Sequence, residues 1–152
     1  MTLKELENDG KIINIDNVSI KEVKAIFGQA VRFFNTAKRG FLNNEDELVL
    51  YINVYDSTRI ASEALLLLKG YRIKKGAGYH IRTFEAIKEI LNGQLSKALS
   101  RIERRRSYRN RLEYGVIDIS RSDLKQAIKD AEELILKIES LIKKVDRQQN
   151  LL

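Results

Sequence analysis

The chain has 152 residues, of which 43% are hydrophobic and 32% charged, and its formal net charge is +7. This composition is typical of one globular domain with a full core, and it excludes a disordered, fibrous or membrane-spanning chain. One histidine and no cysteine leave no disulfide framework and few ligands for a metal, so we expect no metal, no cofactor and a cytoplasmic location. The most apolar run, residues 61–68, is too short to cross a bilayer, and residues 1–9 are too polar for a secretion signal.

The pattern of the chain predicts helices throughout. Proline is absent, glycine occurs eight times, and apolar residues recur at steps of three and four instead of alternating with polar ones. We therefore expect a single all-α domain over residues 19–147, a weakly structured leader over residues 1–18 and a frayed tail over residues 148–152. The sequence leaves open whether the leader packs on the domain edge or forms a short hairpin.

Capping residues delimit the first two helices. Ser19 and Glu22 form a capping-box pattern before an apolar helix face that ends near Gly40. The asparagine pair at 43–44 is expected to cap the second helix. Residues 61–68 of this second helix are apolar on most sides, which predicts that it occupies the centre of the bundle.

Three further helices follow a basic, glycine-rich connection over residues 70–78. A short helix covers residues 79–91, and the next helix begins near Gln94 with an inner face that includes Ile102. Ser120 is expected to cap the last helix. Its apolar residues step by three and four over three heptads, which predicts lengthwise packing against a partner helix.

Basic charge is concentrated in residues 101–111, which read RIERRRSYRNR and account for +5 of the net charge. The inner helix face runs from Ile102 into Arg105, Arg106 and Arg109, which indicates a cleft or an interface rather than open solvent. Guanidinium groups in this number need an anionic partner, and phosphate is the most common one. The candidate nucleic-acid-binding residues are Arg101, Arg104, Arg105, Arg106 and Arg111.

Two segments together resemble the HEPN superfamily, small helical bundles that accompany minimal nucleotidyltransferases in prokaryotic toxin–antitoxin and defence systems. One segment is residues 55–86, with the runs YDSTRIASEALL, GYR and GYHIRTFEA, and the other is residues 109–115, RNRLEYG. The resemblance implies an antiparallel, up-and-down four-helix bundle with an extra short helix. It also implies a homodimer whose arginine helices face a shared cleft, with RNA and a nucleotidyltransferase-type antitoxin as partners.

Active members of the superfamily resemble metal-independent ribonucleases that carry an arginine, a polar residue and a histidine in one motif. Arg109 and Asn110 match the first two positions, and Tyr114 occupies the histidine position. These three are the candidate catalytic residues: Arg109 supplies charge, Asn110 orients a phosphate or base, and Tyr114 serves as acid or hydrogen-bond donor. His80 and Arg82, at the start of the short helix, are accessory candidates.

Three interpretations follow from these residues. The leading one is a HEPN-type RNA-binding protein that acts as a metal-independent endoribonuclease toxin, with its enzymatic activity dependent on Tyr114. The second is a non-catalytic dimeric module that binds a nucleotidyltransferase-like partner or a nucleotide. The third is a structural dimer interface in which the arginines pair with acids of the opposite subunit, such as residues 45–47 or Glu63.

Overall fold

The computed structural model of the protein describes residues 1–112, 115 and 118–150. Helices dominate this part of the chain, which confirms the all-α fold class. No helix among these residues is long and apolar enough to cross a membrane. In chain order the elements are α1 (Leu3–Asn8), β1 (Ile12–Asn14), α2 (Ile20–Leu42), α3 (Glu47–Leu68), β2 (Tyr71–Ile73), α4 (Tyr79–Leu91), α5 (Ser96–Leu112) and α6 (Arg121–Asn150).

Helix α3 is the centre of the bundle. It packs against α2, α4, α5 and α6, and buried residues such as Leu50, Tyr55 and Leu67 occur on all of its sides. Three buried hydroxyl groups of α3 donate to carbonyls of the preceding turn, so they need no partner from another helix. The central position predicted from residues 61–68 is thereby confirmed.

The helix ends confirm the serine caps of α2 and α6 and correct the cap of α3. The Glu22 carboxylate, expected to complete a capping box with Ser19, pairs with Arg72 instead. The Ser19 and Ser120 hydroxyls each accept a hydrogen bond from an amide in the first turn of α2 and α6, respectively. Helix α3 begins after Asp46, whose carboxylate accepts from two first-turn amides, because the asparagine pair at 43–44 instead closes α2. Helix α6 continues through Asn150, into the predicted frayed tail, and residues 151–152 lie outside the described residues.

Gly40 lies inside α2, not after its last turn. A Cβ atom at this position would come within 2.5 Å of Leu50 Cδ2 on α3, which is closer than side chains pack. The glycine therefore permits close contact between α2 and α3. The helix stop expected at Gly40 is wrong, since α2 runs on to Leu42.

The N-terminal residues are more structured than the sequence pattern predicts. A capping box opens α1, and Leu6 of this helix is fully buried in the core. Strand β1 pairs antiparallel with β2, with Ile12 opposite Ile73. The leader over residues 1–18 and the connection over residues 70–78 thus support each other. Neither segment is long enough to reveal this pairing alone, because the partner strands are far apart in the chain.

A buried carboxylate attaches α5 to α6. Asp130 of α6 has no solvent exposure, and Nε and Nη2 of Arg101 lie 2.9 and 2.8 Å from its two oxygens. Nη1 of Arg105 lies 2.8 Å from Asp130 Oδ2, in an ion pair without hydrogen-bond geometry. Burial opposes ionisation of Asp130, but its attraction to Arg101 and Arg105 prevails and holds the pKa of this carboxyl below its usual value.

Replacement of Asp130 by asparagine is expected to lower the free energy of unfolding by about 2–3 kcal/mol at pH 7. This loss is smaller than that of a fully buried pair because Arg101 is 34% exposed. Since the folded pKa of Asp130 is depressed, its contribution is present above the unfolded pKa of about 3.9 and is lost as the pH falls through the folded pKa. Urea unfolding of both proteins at pH 7 and pH 3 should therefore give a smaller difference at pH 3.

The matched control is Glu139→Gln, which removes an acid of α6 that pairs with Lys143 in solvent. An exposed pair of this kind contributes about 0–1 kcal/mol. Equal losses for Asp130→Asn and Glu139→Gln would contradict the role given to Asp130.

Candidate functional site

Three arginines of α5 form an inner ridge, which consists of Arg101, Arg105 and Arg109. Their spacing of four residues places them on one side of the helix, and their side chains are between 12% and 34% exposed. The first two bind Asp130, and Nε of Arg109 lies 3.2 Å from Oδ1 of Asp56 on α3. The charge of the inner ridge is therefore directed at acids of the same chain.

An adjacent side of α5, about 90° around the helix from the inner ridge, carries an outer stripe, which consists of Arg104, Tyr108 and Arg111. All three are exposed, with Tyr108 at 44%, and their offsets of four and three residues place them on one face. None of the ion pairs formed among the described residues involves Arg104 or Arg111. Glu103, the one acid within residues 101–111, pairs with a lysine of α4 instead. The positive charge of the outer stripe is thus available to a partner.

A cleft of about 310 Å³ lies beside the outer stripe. Its lining combines polar and apolar groups, including Arg104, Arg105 and Tyr108 of α5 and Tyr51 of α3. Burial raises the pKa of Tyr51 to about 12, against the opposing effect of Arg105, so this phenol is neutral at physiological pH. We call this site the outer cleft.

A second cleft, of about 230 Å³, lies between the start of α4 and the second half of α5. It is lined by Arg106 and Asn110 from α5 and by His80 and the glycine-rich residues 76–78 from the other side. Arg106 and Asn110 are four residues apart and so share a face of α5. This α4–α5 cleft is where the chain's single histidine meets its basic helix.

His80 is held from behind by a tyrosine of the central helix. Its Nδ1 lies 3.1 Å from the Tyr55 hydroxyl, and the two rings are tilted with centroids 5.8 Å apart. The direction of this hydrogen bond decides the histidine tautomer. If Nδ1–H donates to Tyr55, Nε2 is a free base; if the phenol donates to Nδ1, Nε2 carries the proton.

The surroundings of this pair favour the neutral form of both groups. Burial lowers the pKa of His80 below its usual value, and the positive charges of Arg59 and Arg109 lower it further, against the smaller effect of Asp56. Burial likewise raises the pKa of Tyr55 above its usual value, although nearby arginines oppose this shift. A neutral imidazole near several fixed cations can accept a proton, which is the property required of a general base.

Next to the His80–Tyr55 pair, charged side chains of α3 form a network of ion pairs. Asp56 Oδ1 lies 3.9 Å from Arg59 Nε, and Arg59 Nη1 donates to Glu63 at 2.9 Å. Glu63 also accepts from the Tyr79 hydroxyl. Burial raises the pKa of Glu63, and Arg59 counteracts that shift. Arg59, Glu63 and Tyr79 line a larger cavity of about 610 Å³, which shares Gly76, Tyr79 and His80 with the α4–α5 cleft.

The structure separates the candidate catalytic residues. Asn110 is exposed in the α4–α5 cleft, whereas Arg109 lies deeper, with its guanidinium 5.8 Å from the centroid of the Tyr55 ring. Tyr114 lies outside the described residues. His80, an accessory candidate, is the residue that the structure places directly in the cleft.

The accessory candidate Arg82 has a different environment. Its guanidinium donates to the carbonyls of Lys74 and Ala77, and it is not among the residues that line the α4–α5 cleft. Arg82 therefore holds the connection before α4 in place. Of the five arginines predicted to bind nucleic acid, Arg104 and Arg111 are exposed and Arg106 lines the α4–α5 cleft. Arg101 and Arg105 also line the outer cleft, but both are bound to Asp130.

Three residues of this site were missed as functional candidates by sequence reasoning. Tyr55, Asp56 and Asp130 are not among the candidate residues that the sequence indicates. For Asp56 and Asp130 the sequence did contain a signal, since each acid lies beside the buried face of a helix. A carboxylate at such a position needs a cationic partner. That partner could not be assigned from the sequence, because it lies on another helix.

Comparison with known proteins gives one match. A family model described as the HEPN domain matches residues 23–141, which include most of α2, all of α3 to α5 and most of α6. No curated protein and no solved structure matches the chain.

His80 is expected to titrate with a pKa below 6.5, the usual value for histidine. Because this is the chain's one histidine, a single imidazole signal can be followed by NMR against pH. Arg109→Gln should raise this pKa, since it removes a cation that disfavours the imidazolium. Arg104→Gln, on the outer stripe, is the matched control and should leave the pKa unchanged. A pKa of 6.5 or more in the unmodified protein would contradict this description of the cleft.

Proposed function

Because the chain belongs to the HEPN domain family, we propose that it binds RNA along α5 and cleaves it without a metal ion. The observation that carries this proposal is the α4–α5 cleft, where His80 faces Arg106 and Asn110. A base, a cation and a polar side chain are thereby available to one phosphodiester. These are the groups that transfer of a phosphoryl group to the neighbouring 2′-hydroxyl requires.

RNA binding is assigned to the arginines that face outward. Arg104 and Arg111 are exposed, and Arg106 lines the cleft. A guanidinium group can donate two parallel hydrogen bonds to a phosphate, which makes arginine well suited to this ligand. Arg101 and Arg105 are already bound to Asp130, so they contribute less to phosphate binding than the sequence indicates.

In the proposed reaction the 2′-hydroxyl oxygen attacks the adjacent phosphorus. His80 takes the hydroxyl proton at Nε2, in the tautomer whose Nδ1–H donates to Tyr55. Arg106 and Asn110 hold the non-bridging oxygens as negative charge increases on them. The bond from phosphorus to the 5′ oxygen breaks, and this oxygen receives a proton. The products are a 2′,3′-cyclic phosphate and a 5′-hydroxyl.

Tyr114 is proposed as the acid that gives this proton to the leaving oxygen. As a base it would need to ionise, which costs roughly 4 kcal/mol at pH 7 for a group with a pKa of about 10. As an acid it acts in its neutral form. Arg109 is proposed to act through its charge: it is bound to Asp56 beside Tyr55, and it adds to the effect of burial, which lowers the pKa of His80.

The assembly and the biological role are further parts of the proposal. We propose a homodimer in which the α5 helices of two subunits face a shared cleft, so that one RNA strand contacts both. The protein would act as the toxin of a toxin–antitoxin pair, inhibited by a nucleotidyltransferase-type antitoxin. A chain without cysteine is suited to the reducing cytoplasm, where such a pair would act.

The alternative is a non-catalytic dimeric module that binds a nucleotidyltransferase-like partner or a nucleotide. Two observations favour it: Tyr114 occupies the histidine position of the family motif, and the inner ridge is occupied by Asp130 and Asp56. The outer arginines would then bind acids of the partner or phosphates of the nucleotide. RNA cleavage separates this alternative from the leading proposal.

Cleavage of a labelled single-stranded RNA is expected to continue in EDTA and to yield 2′,3′-cyclic phosphate ends. His80→Ala should lower kcat by about 100- to 10,000-fold, the usual contribution of a general base. Arg109→Ala should also lower kcat, mainly at low pH, because the pKa of His80 then rises. Lys143→Ala removes an exposed cation of α6 and serves as the control, with unchanged activity.

Two outcomes oppose the catalytic proposal. One is activity that disappears with EDTA, and the other is full activity in both His80→Ala and Arg109→Ala. Tight RNA binding without any cleavage would support the non-catalytic alternative.

A further inference from the structure

We infer that the outer stripe and the outer cleft form a subsite that stacks an unpaired nucleobase on Tyr108, with the adjoining phosphates on Arg104 and Arg111. This inference deepens the proposed function, on which it rests, by assigning single-stranded RNA as the substrate class. It also assigns a binding role to a tyrosine that takes no part in the proposed chemistry.

The exposure of Tyr108 is the first observation behind this subsite. It is 44% exposed, whereas Leu99 and Ile102 of the same helix are buried. The described residues provide no hydrogen bond to its hydroxyl and no aromatic ring beside it. An exposed aromatic ring is a platform on which any base can stack.

The arrangement of charge is the second observation. Arg104 precedes Tyr108 by one turn and Arg111 follows it by three residues, so the ring lies between two exposed guanidinium groups on one helix face. Both arginines are outside the ion pairs formed among the described residues. Single-strand binding sites combine these two components, a stacking ring and cations that follow the backbone.

The outer cleft is the third observation. Its volume of about 310 Å³ is at the lower end for small-ligand sites, which suits one base better than a larger group. Tyr108 forms part of its wall, and the buried Tyr51 and the half-buried Ile119 provide apolar surface. Asp123 and Gln126 of α6 complete the polar side of the lining, where they can accept from or donate to the edge of a base. A base stacked on Tyr108 could therefore place its edge in this cleft.

A duplex does not fit this subsite, because its bases are stacked on each other and present no free face to Tyr108. An acidic protein could bind the two arginines, but it would not use the face of the ring between them.

The test is the affinity of the full chain for a short 2′-O-methyl oligoadenylate, which lacks the attacking hydroxyl and so stays intact. Tyr108→Ala should weaken binding by about 5- to 100-fold, the usual contribution of one stacked base. Tyr108→Phe keeps the ring and should bind nearly as tightly as the unmodified protein. Leu136→Ala, which truncates another exposed apolar side chain, should have no effect.

Two further probes separate stacking from charge. An abasic strand of equal length retains the phosphates without bases, and a duplex of equal length retains bases that cannot stack on protein. Tyr108→Ala should leave the affinity for both probes unchanged. The inference is overturned if Tyr108→Ala weakens all three probes equally, if it weakens none of them, or if the unmodified protein binds no oligonucleotide at low salt, as expected for an acidic protein partner.

The inference and the proposed function fail in different ways. Loss of single-strand affinity in Tyr108→Ala without any RNA cleavage by the unmodified protein supports the subsite and overturns the catalytic proposal. Metal-independent cleavage with equal oligoadenylate affinity for Tyr108→Ala and the unmodified protein supports the catalytic proposal and overturns the subsite.

Discussion

The pairing of the inner arginines of α5 with Asp130 and Asp56 determines how the rest of the site is arranged. A guanidinium group that faces the core must meet an acid, because an unpaired charge in a low-dielectric environment is strongly unfavourable. Asp130 on α6 meets Arg101 and Arg105, and Asp56 on α3 meets Arg109. These contacts fix the rotation of α5 about its own axis, and the rotation decides which of its other residues face outward.

This rotation divides one basic run into surfaces with separate roles. Arg104 and Arg111 flank Tyr108 on the outer stripe, while Arg106 and Asn110 face His80 across the α4–α5 cleft. The inner ridge also acts on the cleft electrostatically, because the charge of Arg109 lowers the pKa of His80. A residue that is poorly placed to bind phosphate can thus still influence the protonation state of the candidate base.

Local patterns predicted much of the fold, and tertiary contacts account for what they missed. Helical periodicity and the Ser19 and Ser120 caps could be predicted from the sequence because they involve residues that are close together in the chain. The pairing of β1 with β2 could not be predicted from the sequence, since it joins two short segments that are far apart in the chain. The role of Gly40 was predicted wrongly for a similar reason. It was expected to end a helix, but its close contact with Leu50 depends on the packing of two helices.

The candidate site was predicted in part for the same physical reason. The basic segment and the positions of Arg109 and Asn110 in the family motif could be read from the sequence. The number of arginines, however, does not show which of them form ion pairs with acids of the same chain. Recognition of Asp130 as the partner of Arg101 requires the relative placement of α5 and α6. The pairing of His80 with Tyr55 likewise depends on how α4 packs against α3.

The most direct test of this division of charge is the salt dependence of binding to single-stranded RNA, compared between Arg104→Gln and Arg105→Gln. Each phosphate contact contributes about 0.7 to the slope of log affinity against log salt concentration for a single strand. The account predicts that Arg104→Gln reduces the magnitude of the slope by about that amount and leaves the Tm unchanged. It predicts that Arg105→Gln keeps the slope and lowers the Tm. An equal reduction of the slope in both variants, with no loss of stability in Arg105→Gln, would contradict the account.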